Sequence, residues 1–386
     1  MNTNSNFEDG FTGLSWQVAV DSSDEIDALI KKGKTFANRF RLITPLGYGG
    51  FGEVWDAKDR LLGNRVALKI LKSTKERDLE RFIKEVNLFR ILPKDRFVSV
   101  FDYAVHKSPE LAAYSMEKLT NPWIRLDEYR DDYLEDYSVM RRVKISLYLC
   151  RDLLSTLSIL HKEGYVHRDI KPPNIYVNRQ VSRSTLRVDW KHQSPAILKI
   201  GDLGIASKVD GTEHCCGTRG WSAPEQFDRS IGKQGPRSDL FAAGNILYYL
   251  LIGRSLSERE YGKESAISSS LLNLLHSKYL VDKISEVIAE MTYKNPRFRY
   301  EAAQVAIRDI QAIFDSEEDI DLYHAFISSN NQYVRMNEMP DVLFRAFRNR
   351  LEWERLSAPR KDWLLKTAKS AYKKGILRKQ GICYGL

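Results

Sequence analysis

Residues 167–174 read His167-Arg168-Asp169-Ile170-Lys171-Pro172-Pro173-Asn174. Several polar groups of different chemistry are packed into this one short turn. The carboxylate of Asp169 can accept a hydrogen bond from an incoming hydroxyl and aim it. The ammonium of Lys171 can neutralise an anion beside it. Asn174 offers an oxygen to a hard cation such as magnesium. Pro172 and Pro173 stiffen the turn and keep it from becoming a regular helix. Each polar residue has a separate job if the substrate is a nucleoside triphosphate. The alternative reading is a polar surface turn before a strand.

Working outward, Phe40 to Leu46 reads as a strand and runs into Gly47-Tyr48-Gly49-Gly50-Phe51-Gly52-Glu53-Val54. Glycines let the backbone approach phosphates closely and offer amide hydrogens with no side chain in the way. Alone, a G-x-G-x-x-G is weak, because about one chain in eight of this length carries one by chance. Its setting is more specific. Val54-Trp55-Asp56-Ala57 continues as a second strand, where a dinucleotide fold would need a helix. Val66-Ala67-Leu68-Lys69 follows on a run ending at Ile70-Leu71, and a lysine on a buried strand is costly unless it finds an anion. Ser73 or Thr74 is expected to cap a helix reaching about Leu92, with Leu79, Phe82, Ile83, Val86 and Phe89 on one face.

These segments resemble the eukaryotic-like (Hanks-type) protein kinase family, whose catalytic loop reads H-R-D-x-K-x-x-N. Five fixed residues should coincide by chance about once in ten thousand chains of this length. The resemblance covers residues 40–315. It implies an α+β fold of two lobes, a small β-rich one and a large helical one, with ATP and Mg²⁺ in the cleft. By the same likeness Asp169 orients the hydroxyl, Lys171 neutralises the phosphoryl group in flight, and Asn174 and Asp202 hold the metal. Lys69 pairs with phosphates and with a helix glutamate, Glu85 in Phe82-x-Lys84-Glu85-Val86 with Glu80 as the alternative, under a nucleotide-covering set of Gly47, Gly49, Gly50, Phe51, Gly52, Val54 and Ala67.

Tyr114-Ser115-Met116-Glu117-Lys118-Leu119 resembles the kinase hinge. Met116 is then the gatekeeper, and the Glu117 carbonyl and the Leu119 amide bond the adenine. Asp202-Leu203-Gly204 stands where the family has D-F-G, so leucine replaces phenylalanine as the apolar plug. Ala223-Pro224-Glu225 closes the activation segment. Asp239 is expected to bond the backbone of the catalytic loop, and Arg299 to pair with Glu225. Lys171 and Thr218 resemble the serine/threonine branch, which implies protein substrates. Gln226 after Ala-Pro-Glu is similar to bacterial members. In kinases with an arginine before the catalytic aspartate, a phosphate on the activation segment commonly pairs with it, which singles out Thr212 for Arg168.

Hydrophobic residues make up 43% of the 386, which supports a packed core. Four cysteines form neither a disulfide framework nor a C-x-x-C metal site, so a reducing, cytoplasmic setting is expected. Met1 to Gly10 has no apolar signal core, and the most apolar run, Phe241 to Ile252, is too short to span a membrane. Residues 1–39 read as an arm and a short amphipathic helix, 40–118 as the N-lobe, 119–315 as the C-lobe, and 316–386 as a helical extension. Residues 341–386 hold twelve Lys/Arg against four Asp/Glu, a net of +8 within a total of +9. That tail could meet an acidic partner or nucleic acid, or form an ordinary helical cap. The acidic stretch around Arg130 and the basic insertion at 179–197 read as surface features, with substrate docking or recognition as the functional alternative. Two other functions stay open: a pseudokinase scaffold, and a nucleic-acid-binding protein with a regulatory kinase domain.

Overall fold

The computed structural model describes residues 23–314, apart from 50–51, 74, 108–109, 181–196, 204–205, 209–215 and 276. Thr212, Cys215, the interior of the 179–197 insertion and the basic tail therefore lie outside the described residues.

The small lobe is one antiparallel sheet. Its strands are β1 (Thr35–Phe36), β2 (Phe40–Gly49), β3 (Gly52–Asp59), β4 (Arg65–Leu71), β5 (Val100–Lys107) and β6 (Glu110–Met116), in the spatial order β1-β2-β3-β4-β6-β5. Side chains alternate across a strand, and the alternation is clean here. Val66, Leu68 and Ile70 of β4 join Leu111 and Ala113 of β6 in one core cluster. Leu71, Ala112 and Tyr114 belong to a second cluster on the opposite face. Lys69 falls in register with Tyr114 and with Val54, so it stands on that second face.

Each face has its own helical cover. Helix α1 (Ser23–Leu29) precedes the sheet, and Ile26, Ile30 and Phe36 pack with Trp55, Val66 and Leu68 on the first face. Helix α2 (Glu76–Ile91) covers the second face through Leu79, Phe82 and Val86. The expected cap does not start this helix. It begins after Lys75, and no side chain caps it. Ser73 instead accepts from the Lys75 amide at 3.2 Å and donates to the Asp78 carboxylate at 2.6 Å. The helix stops before Leu92-Pro93, as the residue before a proline avoids helical geometry.

The large lobe is built on helices α4 (Val139–Lys162), α5 (Pro236–Ile252) and α7 (Lys278–Thr292). The short α3 (Leu126–Tyr129) and α6 (Glu264–Leu272) flank them. Residues 239–251 of α5 are all buried, which fits its nearly uninterrupted apolar sequence. At Gly244 a Cβ would sit 2.7 Å from the Cβ of Met291, so α5 and α7 cross where only glycine fits. The large lobe also carries two small ladders. One joins β7 (Trp123–Arg125), β9 (Ile175–Asn178) and β10 (Leu198–Ile200) in the order β10-β9-β7, and the other pairs β8 (Tyr165–Val166) with β11 (Ser207–Lys208). The insertion thus springs from two antiparallel strands, β9 and β10. No helix among the described residues is long and apolar enough to cross a membrane.

Phe36 precedes the sheet's long strands yet is fully buried. Phe36→Ala is expected to lower stability by about 3–5 kcal/mol, read as a fall in the urea midpoint at unchanged slope. A loss within about 0.5 kcal/mol, the scale of ordinary surface changes, would show that the leading segment is dispensable to the fold.

Candidate active site

The catalytic-loop stretch is held from below by one buried carboxylate. Asp239, near the start of α5, accepts from the His167 amide at 2.9 Å and the Arg168 amide at 2.8 Å. It also pairs with His161 Nε2 at 2.8 Å. Burial alone would raise its pKa, but the histidines and the donated amides hold it below the usual carboxylate range. These bonds stabilise a backbone that Arg168 would otherwise avoid, with φ at +73°.

Above that anchor three side chains close on one another. Asp169 Oδ1 accepts from the Thr218 hydroxyl at 2.6 Å, Asp169 Oδ2 lies 2.8 Å from Lys171 Nζ, and Lys171 donates to Thr218 Oγ1 at 2.9 Å. Asn174 donates its amide to the Asp169 carbonyl at 2.9 Å. The prolines do not abolish helical geometry altogether: Pro172–Asn174 form a single 3₁₀ turn, and its carbonyl at Asn174 accepts from the Gly201 amide at 2.9 Å. That bond sets Asn174 beside the strand that delivers Asp202. Asp202 takes φ of +52°, its side chain is half exposed, and Leu203 behind it is buried.

From the other lobe Lys69 reaches Glu85 at 2.7 Å and Asp202 at 2.9 Å. Burial works against its charge, but Asp202 and Glu85 together outweigh it, so the lysine pKa moves well up and the ammonium persists. Glu85 moves up as well, because its burial exceeds what Lys69 returns. The choice of Glu85 over Glu80 agrees with this geometry.

The glycine stretch forms the β2–β3 hairpin, with Gly49 opposite Gly52. Gly52 has φ of +151°, and a Cβ there would lie 2.0 Å from the Ile70 carbonyl oxygen, so no other residue fits. At Gly47 a Cβ would meet nothing within 4 Å. Gly50 and Phe51 lie outside the described residues. Val54 stands opposite Lys69, and Met116 opposite Ala67, so these four share the face that carries the lysine. Glu117 donates its amide to the Ser99 carbonyl at 2.8 Å, and Leu119 is partly buried.

Several contacts were not foreseen. The hinge side chains are pinned in opposite directions: Glu117 to Lys199 at 2.6 Å, just before Asp202, and Lys118 to Asp56 of β3 at 2.6 Å. Gln226 donates both to the Arg168 carbonyl at 2.7 Å and to the Cys216 carbonyl at 2.9 Å, stapling the activation segment to the catalytic loop. Its place directly after Ala-Pro-Glu was the only signal. Arg168 itself lies 3.4 Å from the Cys216 sulfur. Glu225 and Arg299 meet as expected in a fully buried fork at 2.7 and 2.8 Å, with Ser238 donating to the same carboxylate at 2.8 Å.

A glycine hairpin beside a strand lysine, a helix glutamate, the Asp202-Leu203 pair and an H-R-D-x-K-x-x-N loop, shared between a β-rich and a helical lobe, define a protein kinase fold. Residues 40–310 match the protein kinase domain family, and the chain belongs to it. It is 30% identical over 289 residues to the serine/threonine-protein kinase PknA of Mycobacterium tuberculosis, covering 69% of this chain and 59% of that protein. It is 26% identical to the serine/threonine-protein kinase PrkC of Bacillus subtilis, covering 74% of this chain and 42% of that one. The chain thus spans about three-fifths or less of the length of these relatives. Among solved structures, a double-mutant kinase domain of Mycobacterium tuberculosis PknI superposes with a TM-score of 0.52 at 19% identity, covering 74% of this chain and 98% of that one. That likeness is one of fold.

Glu225→Gln leaves the buried Arg299 guanidinium without its counter-charge. The expected loss is about 3–5 kcal/mol of stability, measured by urea unfolding, and a change below about 1 kcal/mol would mean that the pair behaves like a surface one.

Proposed function

We propose that this chain is an ATP-dependent protein kinase that transfers the γ-phosphoryl group to serine or threonine hydroxyls. The observation that carries the reading is the bonded triangle of Asp169, Lys171 and Thr218. Asp169 already accepts a hydroxyl at 2.6 Å, so its carboxylate is oriented for the hydroxyl of an acceptor side chain. The acceptor oxygen forms its bond to the γ-phosphorus as the bond to the ADP oxygen breaks, and the hydroxyl proton passes to Asp169. Lys171, beside it, offsets the charge of the moving group. Lys69 is assigned to the phosphates, with Glu85 as its support.

The donor set fits a magnesium ion. Asn174 and Asp202 offer oxygen only, and they are linked through Gly201. Among the described residues no group of three or more His, Cys, Asp or Glu assembles into a metal site. Two protein oxygens suit Mg²⁺, which takes one or two protein ligands and completes its shell with water and phosphate. When bound, Mg²⁺ supplies charge neutralisation across the phosphate oxygens. Gly47, Gly49, Gly50, Phe51, Gly52, Val54, Ala67 and Met116 are assigned to the nucleotide, with the Glu117 carbonyl and the Leu119 amide on the adenine edge. We assign the chain to a reducing, cytoplasmic setting on its cysteine spacing, and the basic residues 341–386 to an acidic partner on their net +8.

Asp169→Asn is expected to retain ATP binding and to lower phosphotransfer by at least about a hundredfold, since an amide cannot take up the proton. Incubation of the purified chain with ATP and Mg²⁺, followed by mass spectrometry of phosphosites, checks this. Near-parental turnover in Asp169→Asn would remove the reading, and absence of turnover in the parent would leave a nucleotide-binding scaffold.

A further inference from the structure

Tyr114 on β6 stands directly opposite Lys69 on β4, so both side chains point to the face covered by α2. On that helix Phe82, Glu85 and Phe89 fall on one stripe, at i, i+3 and i+7. The Tyr114 ring packs against Phe82 at 5.1 Å and against Phe89 at 6.4 Å between centroids. Its hydroxyl donates to Glu85 Oε1 at 3.0 Å, the same oxygen that Lys69 holds at 2.7 Å. The Lys69 ammonium in turn lies 5.8 Å from the ring centroid, within cation–π range. One fully buried side chain therefore grips the helix on both sides of Glu85 and closes the charge cluster. An apolar residue would pack α2 equally well. It would leave Glu85 Oε1 with one donor instead of two, in a setting where a buried carboxylate needs every donor it has.

We propose that Tyr114 is a positioning residue for phosphoryl transfer, whose hydroxyl fixes Glu85 and through it Lys69, holding α2 against the sheet. The proposal rests on the kinase reading of Lys69 and Glu85. Glu85 is faced by Lys69 from β4, by Tyr114 from β6 and by Asp202 from the segment after β10. Burial and Asp202 push the Glu85 pKa up, while Lys69 and the tyrosine hydroxyl pull it down. Tyr114 stays a protonated donor throughout, because burial and the neighbouring Glu85 raise its own pKa well above the ordinary range. The ionised form of Glu85 is the one that holds Lys69.

The test uses the full chain with ATP and Mg²⁺, reading autophosphorylation rates over a range of ATP concentrations. Tyr114→Phe keeps both ring contacts and is expected to lower kcat about tenfold, with KM for ATP little changed. In a Glu85→Ala background, which leaves the hydroxyl no side-chain acceptor on the helix, the same change should have no further effect, because the hydroxyl acts through Glu85. Parental kcat overturns the proposal. So does a loss that persists undiminished in the Glu85→Ala background, or a collapse of folding in Tyr114→Phe, since either makes the hydroxyl a support of the core. Lys69→Met run in parallel separates the two levels. Parental activity in Lys69→Met removes the kinase reading itself, whereas an inactive Lys69→Met beside a parental Tyr114→Phe removes only the role of Tyr114.

Discussion

A lysine ammonium buried on the face of a sheet is the constraint on which the rest of this molecule turns. Desolvation opposes its charge, and only anions brought from elsewhere can offset that cost. Lys69 obtains one carboxylate from α2 and another from the segment after β10. The first requires α2 to lie against the sheet. The second requires the two lobes to approach. A single cation thus couples a helix position to a lobe position. The consecutive hinge residues Glu117 and Lys118 brace the same arrangement, one towards Lys199 and the other towards β3.

The large lobe solves a different problem, that of holding an irregular loop in one conformation. Loop backbone needs partners for its amides as strands and helices do. Asp239 supplies them from the rigid start of α5, so the strain at Arg168 is balanced by charge-assisted bonds rather than by loop packing. Gln226 and Ser222 then donate to the carbonyl on the other side of Arg168, at 2.7 and 3.3 Å. The Glu225–Arg299 fork fixes the end of the activation segment to the body of the lobe. Catalytic loop and activation segment are in this way referred to one buried frame, and Thr218 meets Asp169 within it.

The amino-acid sequence by itself determined the order of the parts and most of the chemistry. The H-R-D-x-K-x-x-N stretch, the glycine hairpin and the strand lysine are local patterns, and local spacing survives in one dimension. Glu85 was distinguished from Glu80 by the likeness of Phe82-x-Lys84-Glu85-Val86 to the family's helix pattern, not by spacing alone. Only the tertiary structure decided which distant groups complete these patterns. Tyr114 and Glu85 are 29 positions apart, and Gln226 and Arg168 are 58 apart. A tyrosine in an apolar strand and a glutamine after a proline-glutamate pair carry no periodic signature of their partners. The spacing of Ile26, Leu29, Ile30 and Phe36 suggested one amphipathic helix, whereas the helix ends at Leu29 and Phe36 is buried on a strand of two residues, too short to show a period. Such contacts are fixed by how strands register and helices pack, and that information exists only once the chain has closed on itself.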